Sequence, residues 1–154
     1  MNQNSTIKGF TLIEIIVVLL ILGIIVSISA SAFARMYRES ARKAGASEVY
    51  GALISARSRT LAAQNDTTHG VLVSSTTVTR FQGGAYSPSD TTNRSYTFEG
   101  GVTATGTLVT SETPIIFTRL SGKPNSPGIL YVRNDDGTST TTITVSASGL
   151  IEYD

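Results

Sequence analysis

The sequence lacks the side chains that most catalytic and metal centres need. It contains no cysteine, so it can form neither a disulfide nor a thiolate nucleophile. Its single histidine, His69, leaves no imidazole pair for a zinc site and stands in no Ser-His-Asp context. The acidic residues are scattered along the chain. We therefore predict that the chain is not an enzyme and needs no cofactor.

Proline and net charge are also scarce. No proline precedes Pro88, so nothing in the first half of the chain forces a helix to break. The formal net charge is +1, yet residues 44–154 hold seven basic and nine acidic side chains. The basic excess is confined to residues 35–43. This segment could meet lipid phosphates or acids of another chain, or form a solvated helix face.

Apolar side chains are abundant near the start of the chain. Residues 10–34 form a stretch of 25 residues without Lys, Arg or His. About 20 such residues are enough to span a bilayer. The stretch holds one acid, Glu14, and a charge inside a bilayer costs a few kcal/mol and is usually functional. Glu14 therefore either pairs with a cation from outside the segment or lies at the headgroup level without a partner.

The residues around Glu14 carry a family resemblance. The segment Lys8-Gly9-Phe10-Thr11-Leu12-Ile13-Glu14 and the apolar run after it resemble the processing site of type IV pilins and type II secretion pseudopilins. The resemblance implies that the prepilin peptidase cleaves between Gly9 and Phe10 and methylates the new amine of Phe10. It also implies that Glu14 pairs with the N-terminal amine of a neighbouring subunit during filament assembly.

An ordinary signal peptide is the rival interpretation of the same residues. Ala30-Ser31-Ala32 or Ala32-Phe33-Ala34 would then be the cleavage site, and a soluble secreted β-rich protein would begin at Arg35. Two features argue against it. The apolar stretch exceeds the roughly 7–15 residues of a signal-peptide core, and Glu14 lies within it.

The basic segment and the resemblance predict opposite topologies. The excess of positive charge in residues 35–43 would place that flank in the cytoplasm. The resemblance implies a single pass through the bacterial inner membrane, with the N-terminus cytoplasmic and the C-terminal head periplasmic. We follow the resemblance, although the sequence alone leaves the conflict open.

The helix is predicted to continue beyond the membrane. Residues 35–64 are mostly good helix formers, and Asn65-Asp66 offers a stop. An apolar face recurs at helical spacing, formed by Val49, Leu53, Ala56 and Thr60 and widened by Tyr50, Ile54 and Leu61. We expect one helix from Phe10 to about Gln64, with a transmembrane and assembly half over residues 10–34 and an amphipathic half over residues 35–65.

After Thr67 the pattern changes to short strands separated by turns. About seven are expected, over residues 69–73, 77–81, 94–98, 114–118, 129–132, 141–145 and 150–153. Asp136-Gly137 and Ser148-Gly149 are expected as hairpin turns. The fold class is therefore α+β and pilin-like: one long N-terminal helix packed on an antiparallel β-rich head over residues 66–154. The leader is residues 1–9.

Three segments of the head resemble the GspH/FimT-type minor pilins and pseudopilins: residues 55–65, 116–124 and 143–151. The resemblance implies a minor subunit that works in a tip or initiation complex. Its partners would be other pilins or pseudopilins, the prepilin peptidase and inner-membrane lipid. A type II secretion pseudopilus is the first choice, and a type IV pilus is the alternative.

The head has two candidate ligands, DNA and Ca²⁺. Some FimT-type pilins bind DNA through basic residues near the C-terminus, but this chain ends in Glu152-Tyr153-Asp154. Arg119, Lys123 and Arg133 are the only late candidates for phosphate contacts, so DNA is not an expected partner. Asn134-Asp135-Asp136-Gly137 could hold Ca²⁺, but it lacks the alternating oxygens of an EF-hand, and a plain turn is favoured.

Overall fold

A computed structural model of the chain describes residues 9–109 and 113–154, without the side chains of residues 28–30. The chain divides into two compact units between Met36 and Tyr37. A single helix, α1 (Leu12–Leu61), begins in the first unit and ends in the second. Of the predicted leader, only Gly9 lies among the described residues.

The helix α1 ends at Leu61, earlier than the predicted Gln64. The reason is a change of backbone conformation: Ala63 takes the left-handed region at φ 49°, which a helix cannot continue. Asn65 and Asp66 follow with φ of 56° and 54° inside the short turn Gln64–Asp66. The predicted stop at Asn65-Asp66 is therefore part of a turn that starts slightly before it.

The predicted apolar face of α1 is confirmed in its centre and wrong at its margin. Its central residues are all at most 1% exposed: Val49, Leu53, Ala56 and Thr60. Ile54 and Leu61 are exposed instead, so the buried stripe is narrower than expected. Tyr50 is half-buried and meets Tyr153 edge to face, with ring centroids 5.5 Å apart.

The head consists of two four-stranded antiparallel sheets, which confirms the α+β, pilin-like fold class. The strands are β1 His69–Val73, β2 Thr77–Gln82, β3 Arg94–Thr97, β4 Thr103–Gly106, β5 Ile115–Ile116, β6 Gly128–Arg133, β7 Thr140–Val145 and β8 Ile151–Tyr153. The first sheet has the order β3-β2-β1-β5 and the second β4-β6-β7-β8. The hairpins β1–β2, β6–β7 and β7–β8 pair as predicted.

Two strands differ from the expectation. Strand β4 was not predicted, because Thr-Ala-Thr-Gly offers no strong apolar alternation. Its Gly106 faces Leu130, and a Cβ on this glycine would lie 2.3 Å from the carbonyl oxygen of Ile129. The predicted strand over residues 114–118 shortens to β5, since Phe117 forms only an isolated bridge with Pro124.

One hydrophobic core joins α1 to both sheets. Its largest fully buried members are Phe117 and Leu53, with Ile115, Leu130 and Ile143 from the strands. Burying each of these side chains contributes about 1.5–3 kcal/mol. The core therefore fixes the second half of α1 on the head.

Candidate functional site

The residues of the predicted cleavage junction are exposed in the described part of the chain. Gly9 is exposed, and a Cβ added to it would meet nothing within 4 Å. Phe10 is 79% exposed. Packing within the described residues therefore gives no reason for a glycine at position 9.

Helix α1 starts with a side-chain cap. The hydroxyl of Thr11 accepts a hydrogen bond from the backbone N–H of Glu14 at 3.3 Å. This satisfies one of the free N–H groups of the first turn. The role of Thr11 was missed at the sequence level, although Thr-x-x-Glu before an apolar run is the signature of a capping box.

Glu14 lies in the first turn of α1, where the helix dipole favours an acid. Among the described residues, no cation lies within 4 Å of its carboxylate. The structure thus places Gly9, Phe10 and Glu14 together at the start of one helix. It does not supply the positive partner of Glu14.

The helical surface after Glu14 is apolar on every side. Its large apolar side chains from Ile15 to Val26 are 47–65% exposed. By length and composition this part of α1 could cross a membrane, and none of it is buried by the rest of the described chain. Ser27 does not interrupt this surface with a free polar group, because its hydroxyl donates to the carbonyl of Gly23 at 2.8 Å.

The basic segment after the apolar stretch is engaged with acids of the chain itself. Arg42 is buried and donates to Glu39 and to the hydroxyl of Thr141. Hydrogen bonds from Arg42 hold the pKa of Glu39 below its ordinary value. Lys43 also pairs with Glu39, at 3.7 Å, and Arg38 pairs with Asp136 at 3.5 Å. Much of this cluster therefore fastens α1 to the head.

The three basic residues predicted as candidates for phosphate contacts each make a separate contact among the described residues. Arg119 pairs with Asp66 at 2.5 Å. The guanidinium of Arg133 lies over the ring of Tyr131, 5.4 Å from its centroid. The main-chain N–H of Lys123 donates to the hydroxyl of Ser121.

The predicted hairpin turn at Asp136-Gly137 is a plain turn. Asp136 accepts hydrogen bonds from the N–H and hydroxyl of Thr138 at 3.0 and 2.7 Å, and these bonds lower its pKa. Throughout residues 9–109 and 113–154, no group of three His, Asp or Glu residues could hold a metal ion.

His69 has a structural environment. It is buried, its ring Nε2 lies 3.3 Å from the carbonyl oxygen of Gln64, and its main-chain N–H donates to Thr60. Burial lowers the pKa of His69, and the nearby charges of Arg59 and Arg80 lower it further, against the raising effect of the Gln64 carbonyl. A neutral, packed imidazole fits this position.

Comparison with known proteins agrees with this geometry. Residues 4–30 match the family described as the prokaryotic N-terminal methylation motif. The solved structure of the minor pseudopilin EpsH from the type 2 secretion system of Vibrio cholerae superposes with a TM-score of 0.56 at 16% identity. It covers 73% of this chain and 94% of its own length. Together these findings support a relationship between this chain and the type IV pilin and pseudopilin family.

The two findings carry different information about this chain. The methylation motif matches residues 4–30, which include Gly9, Phe10, Glu14 and most of the apolar stretch. The likeness to EpsH concerns the fold, since identity is low. No curated protein matches the chain. The motif and the apolar helix indicate a membrane-anchored subunit of the pilin type.

Proposed function

We propose that this chain is a minor pseudopilin of a type II secretion system. It is cleaved between Gly9 and Phe10, methylated at Phe10, and assembled with other pseudopilins through α1. The observation that carries the proposal is the methylation motif on an accessible helix start, joined to an EpsH-like head.

Glu14 is proposed to direct assembly. In lipid, an unpaired carboxylate favours either protonation or a nearby cation. The amine of Phe10 on a neighbouring subunit would be such a cation, and its capture would fix the axial stagger between two helices. The apolar surface beyond Glu14 would then pack against other helices instead of lipid.

We place the chain in the inner membrane, with residues 1–9 as the leader, residues 10–34 as the span and the head in the periplasm. Because the sequence has no cysteine, Ser126→Cys would introduce a unique exposed thiol. A membrane-impermeant maleimide should label it in spheroplasts. Labelling only after cell lysis would overturn the proposed topology.

Processing is tested by the intact mass and N-terminal residue of the membrane-associated protein. The expected species comprises residues 10–154 with one methyl group. Gly9→Val should leave the precursor uncut, whereas Gly23→Val, outside the junction, should be processed normally. A Cβ at either position meets nothing within 4 Å, so a difference between the variants would not come from a steric clash at the Cβ. A mature start at Arg35 would show an ordinary signal peptide and end the proposal.

Assembly is tested with Glu14→Ala. Processing and membrane insertion should be unchanged, while crosslinking into complexes with other pseudopilins should fall by about tenfold, as for the loss of one desolvated ion pair. Glu99→Ala, which removes an exposed acid from the head, is the matched control. Normal incorporation of the Glu14 variant would contradict the assigned role.

The alternative is a type IV pilus minor pilin with a part in DNA uptake. The resemblance of the head to a type 2 secretion pseudopilin favours the first choice. Deletion of the gene separates the two: loss of secreted proteins with intact pili and DNA uptake supports the pseudopilus, and the reverse supports the pilus.

A further inference from the structure

Three arginines surround a polar cavity on the side of the head formed by the first sheet. This arginine pocket has a volume of about 290 Å³. Its walls are formed by Arg59, His69, Arg80, Phe81, Gln82, Thr91, Thr92 and Arg94. The cationic residues come from three elements: Arg59 from the last turn of α1, Arg80 from β2 and Arg94 from β3.

The register of the sheet forces two of these charges together. Arg80 and Arg94 are direct partners across the antiparallel pair β2–β3, and like charges in that position are destabilising. Arg80 is half-buried. Burial lowers the pKa of its guanidinium, and the charges of Arg59 and Arg94 lower it further. The three cations therefore repel one another; Arg59 and Arg80 are half-buried, and Arg94 is exposed.

No acid among the described residues forms an ion pair with any of these three arginines. The ion pairs among the described residues belong to other cations, namely Arg38, Arg42, Lys43 and Arg119. Arg59 and Arg80 instead share a neutral acceptor, the hydroxyl of Ser55, at 3.3 and 2.5 Å. Glu48 lines the adjoining depression together with Arg80 and Arg94, but it does not approach either within 4 Å.

The side chains around the pocket suit an anion with several oxygens. Guanidinium groups bind carboxylates and phosphates through paired hydrogen bonds. Thr91 and Thr92 also line the pocket, although the hydroxyl of Thr92 already donates to the carboxylate of Asp90 at 2.8 Å. The volume is close to the lower end of small-ligand pockets, about 300 Å³, which favours a small anion.

We propose that the arginine pocket binds a small multivalent oxyanion, a phosphate compound or a dicarboxylate. Such a ligand would neutralise the three guanidinium groups and link α1 to β2 and β3. This inference is independent of how the chain is processed or assembled.

The test uses the full chain in a neutral detergent, with pyrophosphate and succinate as separate probes in titration calorimetry. We expect saturable binding of at least one probe. Arg94→Gln and Arg59→Gln should each weaken it by about tenfold or more, the effect of a hydrogen bond to a charged group. Arg133→Gln, which removes an arginine outside the pocket, should leave it unchanged.

A second readout separates ligand binding from a structural role. Without any multivalent anion, Arg94→Gln should not lower the melting temperature, because it removes a like-charge contact. With the probe, the unaltered chain and Arg133→Gln should gain more stability than Arg94→Gln and Arg59→Gln do. The proposal is overturned if neither probe saturates, or if Arg133→Gln weakens binding as much as Arg94→Gln.

Discussion

The two halves of α1 use the same kind of residue for opposite purposes. From Leu12 to Val26 its Leu, Ile and Val side chains point outward on all sides and are exposed. Further along the same helix, Val49 and Leu53 are fully buried in the head. The difference lies in the arrangement: apolar residues around the whole circumference suit an apolar surrounding, whereas a single stripe suits a protein core.

The sharpest way to break this comparison is to truncate one phenylalanine in the core that buries the second half of α1 and one in its apolar half. Phe117 is fully buried, and Phe117→Ala should lower the free energy of unfolding of the head by about 3–5 kcal/mol. Phe33 is 77% exposed, and Phe33→Ala should change it by less than about 0.5 kcal/mol.

Near-ultraviolet circular dichroism in urea would measure both variants. The chain has no tryptophan, and its six tyrosines all lie in the second unit, residues 37–154, so the tyrosine signal reports that unit. Equal losses in the two variants would show that the apolar half of α1 contributes to the core of the head.

A smaller effect is expected from two glycines that share a positive φ. Gly149 in the β7–β8 turn has φ 86°, and a Cβ there would lie 2.2 Å from the carbonyl oxygen of Gly122. Gly149→Ala should therefore cost about 2–4 kcal/mol. Gly137, with φ 67° and open space around it, should cost only about 1–2 kcal/mol as Ala. Similar melting temperatures for the two variants would mean that the turn relaxes.

The smallest effect concerns pH. The folded pKa of His69 is below its ordinary value of 6.5, so the unfolded state takes up a proton that the folded state resists. The head should lose stability as pH falls below 6.5, and His69→Gln should flatten that part of the profile. Melting curves at pH values on both sides of 6.5 would test this. An unchanged slope in the variant would assign the pH dependence to other groups.

The sequence predicted best what depends on local pattern. One helix was predicted from Phe10 to about Gln64, because no proline interrupts it and apolar residues recur along it, and the observed α1 lies within these bounds. The hairpins β1–β2, β6–β7 and β7–β8 followed from alternation and turn residues. Their division between two sheets was not predictable, because the pairing of β1 with β5 and of β4 with β6 joins segments far apart in the chain.

The candidate sites show the same limit. Gly9, Phe10 and Glu14 are neighbours in sequence, so a motif could propose them, although their roles remain proposals. Arg59, Arg80 and Arg94 are widely separated, and only the β2–β3 register and the end of α1 bring them together. A count of charged residues along the sequence could not find this cluster, because only the tertiary structure brings its members together.

The uninterrupted backbone of α1 has a further consequence. Beyond its first turn, the main-chain groups of the apolar half bond to one another within the helix, so this part of the segment needs no hydrogen bonds from its surroundings. In the proposed assembly, the segment moves from lipid to a surface formed by neighbouring helices. This move exchanges one set of dispersion contacts for another, with little hydrophobic preference for either surrounding. Such a segment can move between lipid and a protein surrounding without unfolding. The few polar groups at its end would then decide which of the two surroundings is favoured.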